Sequence, residues 1–521
     1  MARLRNLERL FDDDERAFLL AVLHVALANP FLPERIDAER AALGREFSEV
    51  GLVMINLGTD NENVRRIGLR LVPLLDRIRE RLAAGATGTD EARALYREVC
   101  LYSLYDRFDV RLGALLGKSD ARVTFYDEFA REHDRLVGVL GPQAIPLSKA
   151  HLFACFFQIR RAYYYLFTGV LGGSLIAARL RAAVWQAIFT SDLRAYQEGL
   201  FECVGDVPTL VTGPTGTGKE LVAQAIGHAR YIPFDEGKKR FVVAHDQRFF
   251  PLNLSALSPS LIESELFGHQ RGSFTGAVKD TPGWLEEVGP WGTIFLDEIG
   301  ELDERLQVKL LRVLEKRTYQ RLGERTARRF EGRIVSATNR DLSLEMATGA
   351  FRRDLYYRLC GQLITTPTLR AQLDEAPGEL GHLVRFFAAK VSKPRFAEAL
   401  AERSERWIAT ELPPDYPWPG NVRELEQCVR SIMMSRCYRP AYGSAPAPRA
   451  ASDDFHRKFD AGELTVDEIV GRYATVIHAQ TGSHRETARR LGIGRQQVAG
   501  KLDQELLARL LAERSVPRQG E

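Results

Sequence analysis

Apolar residues recur at three- and four-residue intervals through most of the first 170 positions. Phe18-Leu-Leu-Ala-Val-Leu, Val64 to Leu82, Ala92 to Tyr105 and His151 to Leu171 each read as helix. Strand-like alternation is scarce there. Asn56 to Glu62 and Ala84 to Asp90 read as loops that cap the helix following each. Asp12, Asp13 and Asp14 precede a helix, where acids complement the N-terminal dipole. A phosphorylated receiver pocket would need such acids at the end of a buried strand. Phe153 to Gly173 is rich in aromatics, but Arg160 and Arg161 interrupt it, and charge at mid-span is costly in lipid. A buried helix, packed in a core or interface, is predicted in preference to a membrane span or the lining of a ligand pocket.

At Gly172-Gly-Ser174 the pattern changes. Strand-like runs now alternate with helices: Thr209-Leu-Val, Phe249 to Asn253, Thr293 to Leu296 and Arg333 to Ala337. That alternation predicts a parallel α/β sheet covered on both faces. Residues 366–437 turn helical again. Residues 438–460, rich in Pro, Ala, Gly and Ser, read as a linker, and a small helical domain follows at 461–521. The fold class is therefore multidomain: a mainly α region at 1–171, an α/β region at 172–365 with a helical lid at 366–437, and a small α domain. There is no internal repeat.

Composition adds limits. The chain has 521 residues, 45% hydrophobic and 27% charged, with a net charge of +3, so any nucleic-acid surface must be local. Cys100, Cys155, Cys203, Cys360, Cys428 and Cys437 are scattered with no C-x-x-C pair, which argues against zinc ribbons and a disulfide framework. The opening residues contain no apolar signal core, and a cytoplasmic protein is expected.

The chemistry centres on Gly213-Pro214-Thr215-Gly216-Thr217-Gly218-Lys219. An apolar run precedes it and a helical pattern follows. Strand, glycine loop and helix form the context in which backbone N–H groups, a helix N-terminus and a lysine cradle phosphates. The next position, where a hydroxyl usually binds Mg²⁺, is Glu220. Thr293-Ile-Phe-Leu-Asp297-Glu298 is a strand ending in two acids, one for Mg²⁺ and one to polarise an attacking water. Asn339, ending another strand, would sense the γ-phosphate or orient that water. Arg352 and Arg358 lie on a helical stretch, either as a solvated face or as cations for a neighbouring subunit's transition state. Arg423, after a Pro-rich turn, would reach back to the nucleotide. Near the C-terminus, Glu486 to Leu502 reads as helix, tight turn at Leu491-Gly-Ile, helix. Ala488, Leu491, Ile493, Val498 and Leu502 would form its core. Arg495, Gln496, Gln497 and Lys501 would face outward for base edges, with Arg485, Arg489 and Arg490 for phosphates. A dimerisation hairpin is the other reading.

Residues 172–437 resemble the AAA+ domain of sigma-54-dependent transcription activators, the bacterial enhancer-binding proteins. The matching strings are GPTGTGKELVAQAI, NLSAL, ESELFGH, GSFTGA, GTIFLDEIGEL, KLLRVLE, ATNRDL, FRRDLYYRL and YPWPGNVREL. The resemblance accounts for Glu220, since family members commonly carry G-K-E. It implies ATP and Mg²⁺ as cofactors, Lys219 on the β- and γ-phosphates, and Asp297 and Glu298 on metal and water. Asn253 would pair with Glu298 as a switch. Asn339 matches sensor I, Arg423 sensor II, and Arg352 and Arg358 the arginine fingers acting in trans, so a ring, expected to be a hexamer, is implied. The loop Gly272-Ser273-Phe274-Thr275-Gly276-Ala277 would touch sigma-54; taken alone, it reads equally as a buried hairpin tip. The C-terminal segment resembles a Fis-type helix-turn-helix.

The chain departs from the family in places. Ser273 stands for the Ala of GAFTGA, Trp291 replaces a common Gly, and Pro367-Thr-Leu-Arg-Ala-Gln replaces P-P-L-R-E-R at the junction with the lid. Ala499-Gly500 replaces a bulky residue and a basic one. The function expected is ATP-driven activation of sigma-54 RNA polymerase from a double-stranded DNA site, under the control of residues 1–171, whose signal the sequence does not name. A DNA-binding AAA+ repressor and a remodeller of some other protein are the alternatives.

Overall fold

The computed structural model describes residues 10–49, 61–118, 121–141, 147–440, 462, 464–503 and 506–507. The chain forms two compact units, Met1–Tyr438 and Arg439–Glu521. Most of the expected linker, and the start of the loop expected at 56–62, lie outside the described residues.

The first unit opens with helices α1 (Asp13–Leu27), α2 (Pro33–Leu43), α3 (Glu62–Ala83), α4 (Asp90–Gly113), α5 (Tyr126–Val137) and α6 (Lys149–Gly169). Asp12 caps α1 in a reciprocal pair with Glu15, which is why three consecutive acids stand there. Asn61 and Thr89 cap α3 and α4. The aromatic stretch is helix α6, buried over almost its whole circumference. One side packs Phe153 against Phe125 and Phe129, and the other lies on the helix of the glycine loop. Helix α7 (Leu175–Phe189) follows the Gly172-Gly break. That break thus falls between two helices of one compact unit, and Ile159, Leu166 and Val184 share a core with the sheet residues Val211, Phe295 and Val335.

The sheet has five parallel strands: β1 (Thr209–Thr212), β2 (Phe249–Asn253), β3 (Thr293–Asp297), β4 (Arg333–Thr338) and β5 (Gln362–Thr365), in the order β5-β1-β4-β3-β2. Four were predicted and β5 was not. Thr293 to Leu296 of β3 and Ile334 to Thr338 of β4 are continuous apolar or small-residue runs because both faces of the strands are covered there. Around the sheet stand α8 (Lys219–His228), α9 (Pro259–Phe267), α10 (Glu304–Lys316) and α11 (Arg353–Leu359). The lid consists of α12 (Leu369–Glu375), α13 (Glu379–Val391), α14 (Pro394–Glu411) and α15 (Asn421–Ser435), around Leu383, Phe387, Leu425 and Ile432. Tyr438, expected to open the linker, instead closes the lid. It is buried, its ring meets Trp407, and its hydroxyl donates to Glu424.

The second unit has α16 (Val466–Thr481), α17 (His484–Leu491) and α18 (Arg495–Ala499). Gly492, at φ 66°, ends α17 and makes the tight turn. Ala474, Ile477, Ala488 and Val498 are buried. Leu491, Ile493 and Leu502, expected in this core, are only half-buried, because α18 is a little over one turn long and covers little surface.

Candidate functional site

The glycine loop leaves β1 and enters α8. Its conformation is available to glycine alone at two points. Gly213 has φ 144°, and a Cβ there would lie 2.2 Å from the Thr366 hydroxyl. Gly216 has φ 79°, and its Cβ would lie 2.2 Å from the Gly420 carbonyl. The loop is thus clasped from the end of β5 on one side and from the lid on the other. Lys219 Nζ donates to the carbonyls of Gly213, at 2.9 Å, and Pro214, at 3.2 Å. Desolvation lowers its pKa, partly opposed by Glu298 and Asp297.

Opposite stand the two acids. Asn253 and Asp297 are register partners at the ends of β2 and β3, so three candidate side chains converge at one edge. Burial raises the Asp297 carboxyl above its usual value; the Glu298 N–H and Lys219 oppose that, while Glu220 adds to it. Glu298 sits at φ 54°, ψ 53°, a left-handed conformation. Its Oε2 accepts from the Asn339 backbone N–H at 3.1 Å, and Asn339 Nδ2 donates to the Thr215 hydroxyl at 3.0 Å. Asn339, Glu298 and the glycine loop are therefore joined in one chain of contacts. The expected Asn253–Glu298 pair is not made. Asn253 Oδ1 instead accepts from the Ser255 N–H and hydroxyl, because it caps the turn that follows β2.

Between loop and lid lies a cavity of about 370 Å³. Of the residues singled out in the sequence, Thr215 to Lys219, Glu220, Asn253, Asp297, Glu298 and Arg423 line it, while Gly213, Pro214 and Asn339 do not. Several of its walls carried no sequence signal. Thr168 to Leu171 come from the end of α6, Gln372 from α12, and Phe386, Phe387 and Lys390 from α13. Asn421, at φ 53°, links lid to loop: Nδ2 donates to the Thr215 carbonyl at 2.9 Å and Oδ1 accepts from the Leu369 N–H. The cavity offers a cation and loop N–H groups for phosphates, acids for a metal and a water, and apolar walls for a base. Asp297, Glu220 and Glu298 fit a hard divalent ion by donor type. Among the described residues no three His, Cys or acidic side chains form a cage.

The loop Gly272–Ala277 hangs from a short hairpin pairing Gly268–His269 with Thr281–Pro282. It lies beside a second hairpin, Thr318–Tyr319 with Arg328–Arg329: the Leu322 carbonyl accepts from the N–H of Gln270, just before the loop, and Gly323 lies against Ser273. Gly272 and Gly276 have positive φ. The reading of a buried tip is overturned for Phe274: it is 44% exposed, its ring resting on His269. Ala277 is buried, and the Ser273 hydroxyl is buried without a partner among the described residues. Arg352 pairs with Asp354 at 2.7 Å and Arg358 with Glu315 at 3.3 Å; neither lines the cleft of its own chain.

In the second unit Arg485, Arg495, Gln496 and Gln497 are exposed. Arg489 and Arg490 are paired with Glu486, which they hold down at about 2. Lys501 does not face outward as expected: it is half-buried and pairs with Asp467 at 2.7 Å, because the chain folds back onto α16 there. No helix among the described residues is long and apolar enough to cross a membrane.

Residues 191–365 match the family model described as the Sigma-54 interaction domain. The chain is 37% identical over 305 residues to the transcriptional regulatory protein ZraR of Escherichia coli (strain K12), covering 57% of this chain and 63% of that protein. It is 41% identical over 252 residues to the DNA-binding transcriptional regulator NtrC of Rhizobium meliloti (strain 1021), covering 48% and 46%. It is 44% identical over 227 residues to the Nif-specific regulatory protein of Azotobacter vinelandii, covering 43% and 40%. The chain thus spans less than two thirds of the length of these relatives. A crystal structure of NtrX from Brucella abortus aligns with 74% of this chain and 84% of its own, at 22% identity and a TM-score of 0.38.

Proposed function

We propose, on the premise that residues 191–365 form a sigma-54 interaction domain, that this chain is an ATP-hydrolysing transcription activator that opens sigma-54 promoters. The observation that carries it is the exposed Phe274, held between two glycines in a chain whose acids, lysine and sensor asparagine meet around one cleft.

The chemistry follows from the residues. Lys219, now bonded to loop carbonyls, would exchange those bonds for β- and γ-phosphate oxygens. Asp297 would hold Mg²⁺, which supplies charge neutralisation on the phosphates when bound. Glu298 would polarise the attacking water, and Asn339 would tie its carboxylate to the loop, so that loss of the γ-phosphate shifts a connected set of contacts. Arg423 reaches the cleft from the lid. Arg352 and Arg358 would complete the site of the next subunit in a ring, taken to be a hexamer. The movement would be delivered to sigma-54 RNA polymerase through Phe274 and Thr275. Residues 461–521 would hold the ring on double-stranded DNA, with Arg495, Gln496 and Gln497 toward base edges and Arg485 toward phosphate, and residues 1–171 would regulate assembly or turnover. The protein would work in the cytoplasm.

The test uses the full chain, a DNA site selected by its own binding, and sigma-54 polymerase. Promoter melting should require ATP and this protein. A promoter that stays closed with both present defeats the proposal. The Phe274→Ala chain should hydrolyse ATP as before and melt nothing; melting by that variant would point to a different contact surface.

A further inference from the structure

The cleft between loop and lid changes in chemistry along its length. Lys219, Asp297 and Glu298 stand at the glycine loop. Away from the loop the walls are apolar: Val170, Leu171, Ala177 and Leu180 from the α6–α7 junction, and Phe386 and Phe387 from the lid. With phosphates on the loop, a base lies between those walls. Apart from the loop, the two acids, Asn253, Ser255 and Arg423, four polar side chains line the cleft: Thr168, Gln372, Lys390 and Glu426. Three of them are already satisfied. The Thr168 hydroxyl donates to the Tyr164 carbonyl at 2.7 Å. Lys390 pairs with Glu426 at 3.2 Å, and Glu426 also takes Arg430 at 2.8 Å.

Gln372 is the one left over. It is only 5% exposed, and its side-chain amide makes no hydrogen bond among the described residues. Helix α12 carries it to the α6–α7 junction: a Cβ added to Gly172 would lie 3.1 Å from Gln372 Oε1 and 3.0 Å from the Ala177 methyl. Glu379 reaches the same glycine but is turned to the Gly173 N–H, from which both of its oxygens accept at 2.8 Å. A buried amide left unpaired is unfavourable, and a ligand that supplies both partners relieves it. Whichever way it is turned, the amide presents one donor beside one acceptor. Adenine carries the complement, a 6-amino group that donates next to a ring nitrogen that accepts. Gln372 also stands where the string P-P-L-R-E-R has its last arginine. An arginine offers donors alone, and glutamine adds the acceptor that a 6-amino group needs.

We propose that Gln372 reads the base of the bound nucleotide, its amide oxygen accepting from the 6-amino group of adenine and its N–H donating to the ring nitrogen beside that group.

This assignment rests on the reading of the cleft as an ATP site and adds a residue that selects the base. A nucleotide without the 6-amino group leaves the amide oxygen unpaired against apolar walls, and a contact of that kind discriminates strongly. Gln372 belongs to the first helix of the lid, whereas the phosphates are held by the loop at the end of β1. One nucleotide thus bridges lid and sheet, with its base read from the lid.

The experiment titrates the full-length chain by calorimetry with ADP and, separately, with purine riboside diphosphate, which carries hydrogen in place of the 6-amino group. ADP should bind at least about tenfold more tightly. Gln372→Met keeps the length of the side chain and removes both the donor and the acceptor. It should weaken ADP at least about tenfold and bring the two nucleotides within about twofold of each other. Gln372→Leu should behave in the same way. A variant that keeps the wild-type preference, including one that weakens both nucleotides alike, would show that Gln372 only supports the wall and would overturn its role. Equal binding of the two nucleotides by the wild-type chain would overturn that role and leave the ATP reading standing. A wild-type chain that binds neither would defeat the ATP reading itself, and the base assignment with it.

Discussion

Glu298 holds a non-glycine backbone in the left-handed region, at a cost of about 1 kcal/mol or more. Such strain persists where the surroundings fix it, and here the Asn339 N–H donates to the carboxylate so positioned. Glu298→Gln keeps that acceptor and removes the base. It should bind ATP with unchanged affinity and turn over at least about a hundredfold more slowly, as read by phosphate release beside a fluorescent-nucleotide titration; near-normal turnover would remove Glu298 from the role given to it. Asp297 behaves oppositely in stability. Its folded-state pKa is raised, so the folded chain binds this proton more tightly than the unfolded one. Its contribution is favourable below the unfolded value and is lost as pH rises through the folded value. Asp297→Asn should therefore raise the melting temperature of the nucleotide-free protein at pH 7–8. The gain should shrink toward acid, while Mg²⁺-dependent hydrolysis is lost. A gain that grew as pH fell would show the sign to be wrong. Lys219, Asp297, Glu298 and Asn339 were legible because each sits in a local string whose spacing implies its chemistry. Asn421 and Thr366 were not. Asn421 lies inside the YPWPGNVREL string and Thr366 beside the lid junction, but the bond each makes to the glycine loop exists only as folded contact.

At the scale of elements, the sequence reading succeeded where burial is continuous. Strands β3 and β4 are covered on both faces and read as unbroken runs. Strand β5 escaped because it is an edge strand of four residues, Gln362-Leu-Ile-Thr365, of which only Ile364 is buried. Its importance lies in what it delivers: Thr366, directly after it, bonds Thr217 at 2.6 Å and presses on Gly213. Helix α6 was predicted as buried, but its second partner was not, since nothing in an aromatic run says that one of its arginines will cap another helix. Arg161 is fully buried, burial lowers its guanidinium to about 10, and it satisfies two carbonyls at the end of α8 at 2.8 and 2.6 Å. Arg161→Met leaves both carbonyls without a partner and should cost about 2–4 kcal/mol in denaturant unfolding. Arg161→Lys should recover only part of this, because one ammonium replaces a two-pronged fork. An unchanged unfolding midpoint in the Met variant would show that α6 does not brace α8.

For the whole molecule the question is whether one chain is enough. Arg352 and Arg358 stand outside the cleft of their own chain, paired with Asp354 and Glu315. If the proposed chemistry takes cations at the γ-phosphate beyond Lys219 and Arg423, a neighbour would supply them, and a head-to-tail contact that closes makes a ring. Each active site would then be built from the loop of one subunit and the arginines of the next. Lys219→Ala spoils only the site a chain carries, and Arg358→Ala only the site it serves. Either variant alone should be inactive. In an equal mixture that exchanges freely, an intact site arises only where an Arg358→Ala chain is followed by a Lys219→Ala chain. Random assembly gives that arrangement at about a quarter of interfaces, so the mixture should recover about a quarter of the wild-type ATPase rate if sites turn over independently. It should recover less if the ring fires in concert. Activity that fails to recover, after light scattering has shown the chains to co-assemble, would reject a shared ring of independently firing sites; full activity in Arg358→Ala alone would show that the arginine serves no neighbour.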